Sequence, residues 1–165
     1  MNYKIISACL DDLEFVLHLN QRNTPAVGDS SFETMSYFLK VSEYFKMITI
    51  GEKPIGFLIA LMPGKDYQSE NYKWFNHKYN SFMYIDRIVI SSKYQGRGYG
   101  KLFYSDLHRF SKGKALKLVC EVNIVPLNLQ SIKFHENFGF YEVGTQEIEN
   151  GKKKVSLLMF DNKSD

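Results

Sequence analysis

The stretch that decides the fold is "YQGRGYGKLFYSDL", residues 94–107, where three glycines stand within five positions and a helical pattern follows directly. Glycine destabilises a helix by about 1 kcal/mol relative to alanine, so glycines at a helix start need another reason. The N–H groups of a first helical turn have no partner inside the helix, and glycines let an anion approach them closely. The stretch therefore predicts an anion site, and a diphosphate suits it.

The spacing of the glycines excludes two familiar nucleotide-binding loops. A P-loop needs G-x-x-x-x-G-K-[ST], but the first glycine position is Gln95, and Lys101 is followed by Leu102. A dinucleotide-binding fingerprint needs a third glycine at the position of Lys101. That fingerprint usually lies in the first βα turn of a chain, whereas this stretch lies past mid-chain. A glycine-rich turn without a ligand is the structural alternative.

Composition limits the class of protein. The chain has 165 residues, 44% apolar and 24% charged, with a net charge of +3 that is too small to indicate nucleic acid. No stretch approaches the roughly 20 apolar residues that span a bilayer, and the N-terminus lacks a signal-peptide pattern. Cys9 and Cys120 lack the spacing of a metal site. We expect one cytoplasmic domain over residues 1–165 that binds no metal, nucleic acid or membrane.

Hydrophobic periodicity predicts the element order β-α-α-β-β-β-α-β-α-β-β, an α/β chain with an α+β-type mixed sheet and helices on its faces. Ser30 and Glu33 form a capping-box pattern before the second helix. The last helix is expected from about Leu127 to Phe138, with Gly139 as its left-handed cap. Residues 63–81 show no regular pattern and read as a long aromatic-rich loop.

A second motif gives the glycine stretch a context. Residues 89–107 meet the pattern [QR]-x-x-G-x-[GA] at Gln95, Gly98 and Gly100, and "NLQSIKFHENFGF", residues 128–140, follows N-x-x-[AS]-x-x-F-Y-E-x-x-G-F. Together they resemble the GNAT acyltransferase superfamily, closely over about residues 83–160. The resemblance implies a mostly antiparallel sheet of six to seven strands with a splayed parallel pair, flanked by about four helices.

The resemblance also implies a binding site for acetyl-CoA as co-substrate. Main-chain N–H groups of residues 97–101 would cradle the pyrophosphate, the preceding strand would pair with pantetheine, and the Arg97 side chain would meet a remaining phosphate. The implied cofactor-binding residues are Ile88, Val89, Ile90, Gln95, Gly96, Arg97, Gly98, Tyr99, Gly100, Lys101, Asn128 and Ser131.

Acetyl transfer from a thioester to an amine requires a base, and two carboxylates are candidates. Glu121 lies within the strand pattern "LVCEVN", where a glutamate is unusual and is costly if buried without a partner. Some members of the superfamily carry their base on this strand. The alternative is a structural carboxylate that pairs with Arg87 or reaches solvent. Asp86, on the strand before the glycine turn, is the rival base, a partner for a lysine, or a residue that positions Glu121.

His135 departs from the superfamily pattern, in which a tyrosine at this position is the general acid for the CoA thiolate. Helical spacing places His135 on the same face of the predicted helix as Asn128 and Ser131. An imidazolium can donate a proton, and a neutral imidazole can hydrogen-bond the sulfur. A packing role is the alternative.

The leading hypothesis is an N-acetyltransferase in which a primary amine attacks acetyl-CoA directly. The competing hypothesis is a non-catalytic acyl-CoA-binding regulatory module, which the missing tyrosine favours. The acceptor is expected to be an amine-bearing small molecule or a peptide or protein amine, bound by the first two helices and residues 63–81. The aromatic residues of that segment would enclose the amine or form a satellite core. A monomer and a homodimer are both compatible with the sequence.

Overall fold

The computed structural model describes residues 2–163, which form seven strands and five α-helices. The strands are β1 (Tyr3–Ser7), β2 (Tyr44–Ile50), β3 (Lys53–Leu61), β4 (Met83–Ile90), β5 (Lys117–Val125), β6 (Tyr141–Ile148) and β7 (Lys153–Asp161). The helices are α1 (Leu13–Gln21), α2 (Phe32–Val41), α3 (Glu70–Lys78), α4 (Tyr99–Ser111) and α5 (Leu129–Phe138). No helix within residues 2–163 has both the length and the apolar character that crossing a bilayer requires.

The strands form a mixed sheet in the order β1-β2-β3-β4-β5-β7-β6. The pairs β1–β2, β2–β3, β5–β7 and β6–β7 are antiparallel. The β4–β5 pair is parallel and aligns Met83 with Leu118 and Tyr84 with Val119. This topology confirms the predicted mixed, mostly antiparallel sheet with one parallel pair, and it adds a fifth helix to the four that were expected.

The fifth helix is α3, and the prediction of an irregular loop over residues 63–81 was wrong there. Ser69 caps the helix, because its side chain accepts a hydrogen bond from the Tyr72 N–H at 3.2 Å. Tyr72 and Phe75 are buried one turn apart, and their rings pack on Phe82. Most of the other residues of α3 are polar or charged, so the apolar period was too weak to indicate a helix.

Two other helix starts differ from the prediction by a few residues. The cap of α2 is Ser31, whose Oγ accepts from the Thr34 N–H at 3.1 Å, and not the predicted Ser30. Helix α5 begins at Leu129 and ends, as predicted, at Gly139 with a left-handed φ of 118°. Both differences fall within the one or two residues by which helix ends vary.

The chain divides into two compact units, which β4 links between residues 84 and 85. The first comprises residues 2–61 and 85–110, and the second residues 62–84 and 111–163. Fully buried residues of the first unit include Leu13, Val16, Met35, Phe38, Ile48, Phe57 and Phe103. Those of the second unit include Phe75, Phe82, Tyr84, Leu118, Val119 and Leu157.

Candidate functional site

The glycine stretch forms the turn between β4 and α4 in the first unit. Gly96 and Gly98 have φ values of 72° and 86°, in the left-handed region that side chains with a Cβ rarely adopt. A Cβ built at either glycine would meet nothing within 4 Å. Backbone geometry, and not crowding, therefore requires glycine here, and the space in front of the turn is open.

Hydrogen bonds fix this turn to the end of β4. The Gln95 side chain donates from Nε2 to the Ile90 carbonyl at 2.8 Å. The Leu102 N–H donates to the Gly98 carbonyl at 3.1 Å, so the N–H groups of residues 99–101 lie ahead of that bond, at the helix N-terminus. The positive end of the α4 dipole adds to them. The turn can hold an anion through main-chain groups alone.

The two edges of β4 are used differently. The Ser91 N–H donates to the Ile55 carbonyl of β3 at 2.8 Å, and the Val89 carbonyl lies against Gly56 of β3. Main-chain groups of successive strand residues point to opposite edges. Ile88 and Ile90 therefore point away from β3, as expected for residues that pair with an extended ligand, whereas Val89 points toward β3.

Asp86 and Arg87 form a buried ion pair on the same strand. Arg87 Nε lies 2.6 Å from Asp86 Oδ2, and the two side chains are 9% and 3% exposed. The guanidinium also donates to Asn20 Oδ1 at 3.0 Å and to the Gly28 carbonyl at 3.2 Å. Asp86 thus pairs with an arginine, where a lysine partner was one of the alternatives, and Arg87 ties β4 to α1 and to the segment between α1 and α2.

Glu121 lies on β5 in the second unit, where its carboxylate meets a tyrosine that sequence reasoning did not assign to the site. The Tyr84 hydroxyl is 2.9 and 2.8 Å from the two oxygens of Glu121. Tyr84 is fully buried, and its ring packs on Tyr72 and Phe75 of α3 at 5.4 and 6.1 Å. A buried tyrosine hydroxyl needs a polar partner, and that requirement was the available signal.

Asn128, Ser131 and His135 lie together on one face of α5 in the second unit, as the helical spacing predicts. Asn128 Oδ1 accepts from the Ser131 N–H at 3.2 Å and so caps the helix. His135 Nδ1 lies 2.7 Å from the Ser131 carbonyl oxygen. A carbonyl oxygen only accepts, so Nδ1 carries the proton of the neutral ring, and Nε2 is then an acceptor.

The surroundings of His135 favour its neutral form. The side chain is 4% exposed, and the rings of Phe134 and Phe140 each lie 5.2 Å from the imidazole. Burial lowers the pKa of His135 to about 4, against a smaller opposite effect of the hydrogen bond to Ser131. In this environment the neutral ring packs between two aromatic rings and can accept a hydrogen bond at Nε2.

No group of three or more histidine, cysteine, aspartate or glutamate side chains within residues 2–163 is arranged to hold a metal ion. Cys120 is buried, which raises the pKa of its thiol well above the ordinary value.

The glycine turn, the strand it follows and the sheet order are those of the GNAT fold. The chain belongs to the acetyltransferase (GNAT) family, whose model matches residues 13–140. A comparison with curated protein sequences finds no significant match.

Solved structures share the fold at low sequence identity. The ribosomal-protein-S18-alanine N-acetyltransferase of Escherichia coli is 18% identical, with a TM-score of 0.73 over 99% of this chain and 96% of that one. Ard1 of Thermoplasma volcanium is 13% identical, with a TM-score of 0.79 over 98% of each chain. Arabidopsis thaliana Naa50, in complex with the bisubstrate analogue CoA-Ac-MVNAL, is 14% identical, with a TM-score of 0.76 over 98% of this chain and 99% of that one.

Proposed function

We propose that this protein is an N-acetyltransferase that transfers the acetyl group of acetyl-CoA to a primary amine by direct attack. The observation that carries the proposal is the β4–α4 turn, where Gly96 and Gly98 adopt left-handed conformations and α4 begins at Tyr99. Main-chain N–H groups at such a turn suit a pyrophosphate, which needs several hydrogen-bond donors at once. Membership of the acetyltransferase (GNAT) family supports the reaction class.

Pantetheine would bind along the edge of β4 that faces away from β3. Its amide groups would pair with the main-chain groups of Ile88 and Ile90, as a peptide does when it adds a strand to a sheet. Gln95 already donates to the Ile90 carbonyl, so Ile88 would supply the principal contacts. Asn128 uses Oδ1 as a helix cap and keeps Nδ2 for a carbonyl oxygen of the pantetheine arm.

Glu121 is the base of the proposed reaction. It accepts the proton of the acceptor's ammonium group, directly or through a water, and the amine lone pair then attacks the thioester carbonyl carbon. The Ile88 N–H would stabilise the oxyanion. Collapse of the intermediate breaks the C–S bond and releases the CoA thiolate, and the attacking nitrogen gives its remaining extra proton to water, which leaves the neutral amide. We assign Glu121 and not Asp86, because Asp86 is 3% exposed and bound to Arg87.

The departing thiolate needs no acid from His135. A thiol with a pKa of about 8.5 leaves readily as its anion and takes a proton from solvent. His135 is neutral at pH 7, and its Nδ1 proton is already donated to Ser131. We therefore propose a packing role for His135, so the missing tyrosine is no argument against catalysis.

The proposed reaction requires an acceptor that carries an amine, and it does not specify the rest of the acceptor molecule. Structural neighbours include the enzyme named for the alanine of ribosomal protein S18, a complex with a peptide-bearing CoA analogue, and a spermidine N-acetyltransferase chimera. We propose a small-molecule amine or a peptide or protein amine for this chain, acted on in the cytoplasm by one domain as a monomer or homodimer. The aromatic residues of α3 are less suited to enclose it, because Tyr72 and Phe75 are buried.

A thiol-release screen tests the proposal. Acetyl-CoA and the protein are mixed with pools of small amines, amino acids, polyamines and short peptides, and free CoA thiol is followed with a chromogenic reagent. At least one pool should raise thiol release above the amine-free rate, and mass spectrometry of that pool should show the acetylated amine. If acetyl-CoA binds but no pool raises the rate, the protein is a non-catalytic acyl-CoA-binding module.

A further inference from the structure

Amide side chains lie beside Glu121 on the same face of the sheet in the second unit. The register of β5, β7 and β6 aligns Asn123 with Val155 and Val155 with Gln146. Asn123 follows Glu121 by two residues, so these side chains share one face. Gln146 Nε2 donates to Asn71 Oδ1 of α3 at 3.0 Å, so this is the face that α3 covers. We call Asn71, Asn123 and Gln146 the amide row.

The amide row has hydrogen-bonding groups to spare. Within residues 2–163, Gln146 Oε1, Asn71 Nδ2 and both polar atoms of the Asn123 side chain have no partner. Asn71 is 6% exposed, yet its Nδ2 still reaches the surface. An oxygen and an NH2 group are therefore available on each side of Val155. Amide groups in such partly buried places are costly unless they are hydrogen-bonded, so they need a partner from outside the chain.

Packing closes the face across the sheet from Glu121. Leu157, its neighbour on β7, is fully buried. Gly144, the next neighbour on β6, lies under the indole of Trp74, because a Cβ built at this glycine would be 2.8 Å from Trp74 Cζ2. Asn123 is only half-buried, as Glu121 is. A molecule bound at Glu121 would therefore extend along β5 toward the amide row.

The charges on this face do not favour a polycation. Glu121 is the only carboxylate in the two aligned rows of the described sheet. One row further, Lys153 Nζ pairs with Glu149 Oε1 at 3.0 Å, and Glu70 Oε2 accepts from the Glu149 N–H at 3.5 Å. Each ammonium group of a polyamine needs a carboxylate when it leaves water. Neutral amide side chains instead match neutral groups that both donate and accept.

We propose that the amide row binds the first peptide groups of the acceptor, so that the amine acetylated is the N-terminus of a peptide chain. This inference rests on the proposed N-acetyltransferase function and names its acceptor class. A peptide group has one N–H donor and one carbonyl acceptor, which the oxygen and NH2 of an amide side chain complement. Two residues of extended chain span about 6.6 Å, which is also the distance along β5 from Glu121 to Asn123.

The test compares acceptors with and without peptide groups. Thiol release from acetyl-CoA is measured with tripeptides X-Ala-Ala of varied first residue, with esters in which oxygen replaces the first peptide N–H, and with butylamine and spermidine. The ester keeps the amine and its basicity similar and removes one donor. The kcat/KM of the best tripeptide should exceed that of its ester by about fivefold, the size of one hydrogen bond, and should exceed those of both simple amines.

Variants assign this preference to the amide row. Asn123→Ala and Gln146→Ala should each raise the KM for the tripeptide by about fivefold. The KM for butylamine and the dissociation constant for acetyl-CoA should stay within about twofold, which a general loss of structure would not allow. Thr145→Ala is the matched control, because this exposed residue neighbours Gln146 on β6 and its side chain points to the other face. Asn123→Ala breaks no hydrogen bond within the described chain, so its thermal melt should match the wild type.

The outcomes separate the inference from the proposed function. A kcat/KM for butylamine or spermidine that equals or exceeds that of every tripeptide would overturn the peptide assignment while leaving N-acetyl transfer intact. An unchanged tripeptide KM in Asn123→Ala and Gln146→Ala would do the same for the amide row. If no amine of any kind raises thiol release above the amine-free rate, the proposed function fails and the inference fails with it.

Discussion

The glycine turn of the first unit and the Tyr84–Glu121 pair of the second unit offer chemistry in opposite ways. The turn is exposed and presents main-chain N–H groups at the start of α4, beside left-handed Gly96 and Gly98. The pair works through side chains, one of them fully buried, and depends on an aromatic cluster built by α3. An exposed backbone site can bind a flexible, charged cofactor, whereas a buried hydrogen bond can hold one carboxylate in a fixed place.

This difference predicts that the two regions fail separately. Damage at Gly96 or Gly98 should remove donor binding and leave the fold intact, because nothing lies within 4 Å of a Cβ built at either glycine. Damage to the carboxylate pair should remove turnover and leave donor binding intact. The predictions below test this separation, with turnover measured on an acceptor identified by the thiol-release screen.

The largest effect is expected at Glu121. Glu121→Gln keeps the shape and removes the base, so turnover should fall by about a thousandfold, within the range for loss of a general base. The dissociation constant for acetyl-CoA should stay within twofold of the wild type. Glu147→Gln, on exposed β6, is the matched control and should keep full turnover. Full activity of Glu121→Gln would show that another group is the base.

Gly98→Val should weaken acetyl-CoA binding by about a hundredfold, equivalent to losing two hydrogen bonds to a charged group. Valine is strained at a φ of 86° and would turn the N–H groups away from the ligand. Gly113→Val is the control, since Gly113 also has a positive φ, 75°, and open space around it, but lies after α4. Calorimetry with acetyl-CoA should separate the two variants, and equal affinities would argue against the cradle.

The buried ring of His135 predicts a pH dependence of stability in the second unit. The unfolded chain binds a proton near pH 6.5, while the folded ring binds one only near pH 4, because burial lowers its pKa. The stability contributed by the neutral ring is therefore complete above about pH 6.5 and is lost as pH falls toward 4. Between pH 7 and 5 this loss is about 2 kcal/mol of unfolding free energy.

Urea unfolding at pH 7 and pH 5 measures this loss in the wild type and in His135→Gln. The difference between the two pH values should be about 2 kcal/mol smaller in the variant. Proton NMR of the wild-type imidazole provides a second measurement that needs no variant, and a midpoint near 6.5 would contradict the burial argument.

Tyr84→Phe should have the smallest effect on turnover, about tenfold, because one hydrogen bond to the Glu121 carboxylate is lost while the base stays. The fall should appear in kcat, with acetyl-CoA affinity unchanged. Tyr72→Phe is the matched control, since its buried hydroxyl donates to the Met62 carbonyl at 2.6 Å in the same cluster. If the two variants lost the same stability and the same turnover, Tyr84 would have only a structural role.

The two regions also differ in how far the sequence predicts them. The glycine turn could be predicted because left-handed backbone and helix starts depend on local residues, here Gly96, Gly98 and Gly100. The mixed sheet could be predicted because apolar residues recur regularly in the strand segments. Glu121 was found as an anomaly within its strand, but its partner Tyr84 lies 37 residues away and is recognised only when β4 and β5 pair.

Other misses have the same physical origin. Helix α3 is anchored by Tyr72 and Phe75 against Phe82 and Tyr84, so its stability comes from tertiary packing more than from its own sequence. The partner of Asp86 is its neighbour Arg87, which sequence alternation places on the opposite face. Contacts between distant segments are what local patterns leave out.

The most direct test of the glycine turn as a pyrophosphate cradle is amide NMR of the labelled protein titrated with acetyl-CoA. The account predicts that the largest shifts of amide resonances occur at residues 96–101, where the N–H groups would bind the two phosphates. The largest shifts at amides remote from the β4–α4 turn, with residues 96–101 unmoved at saturation, would contradict it.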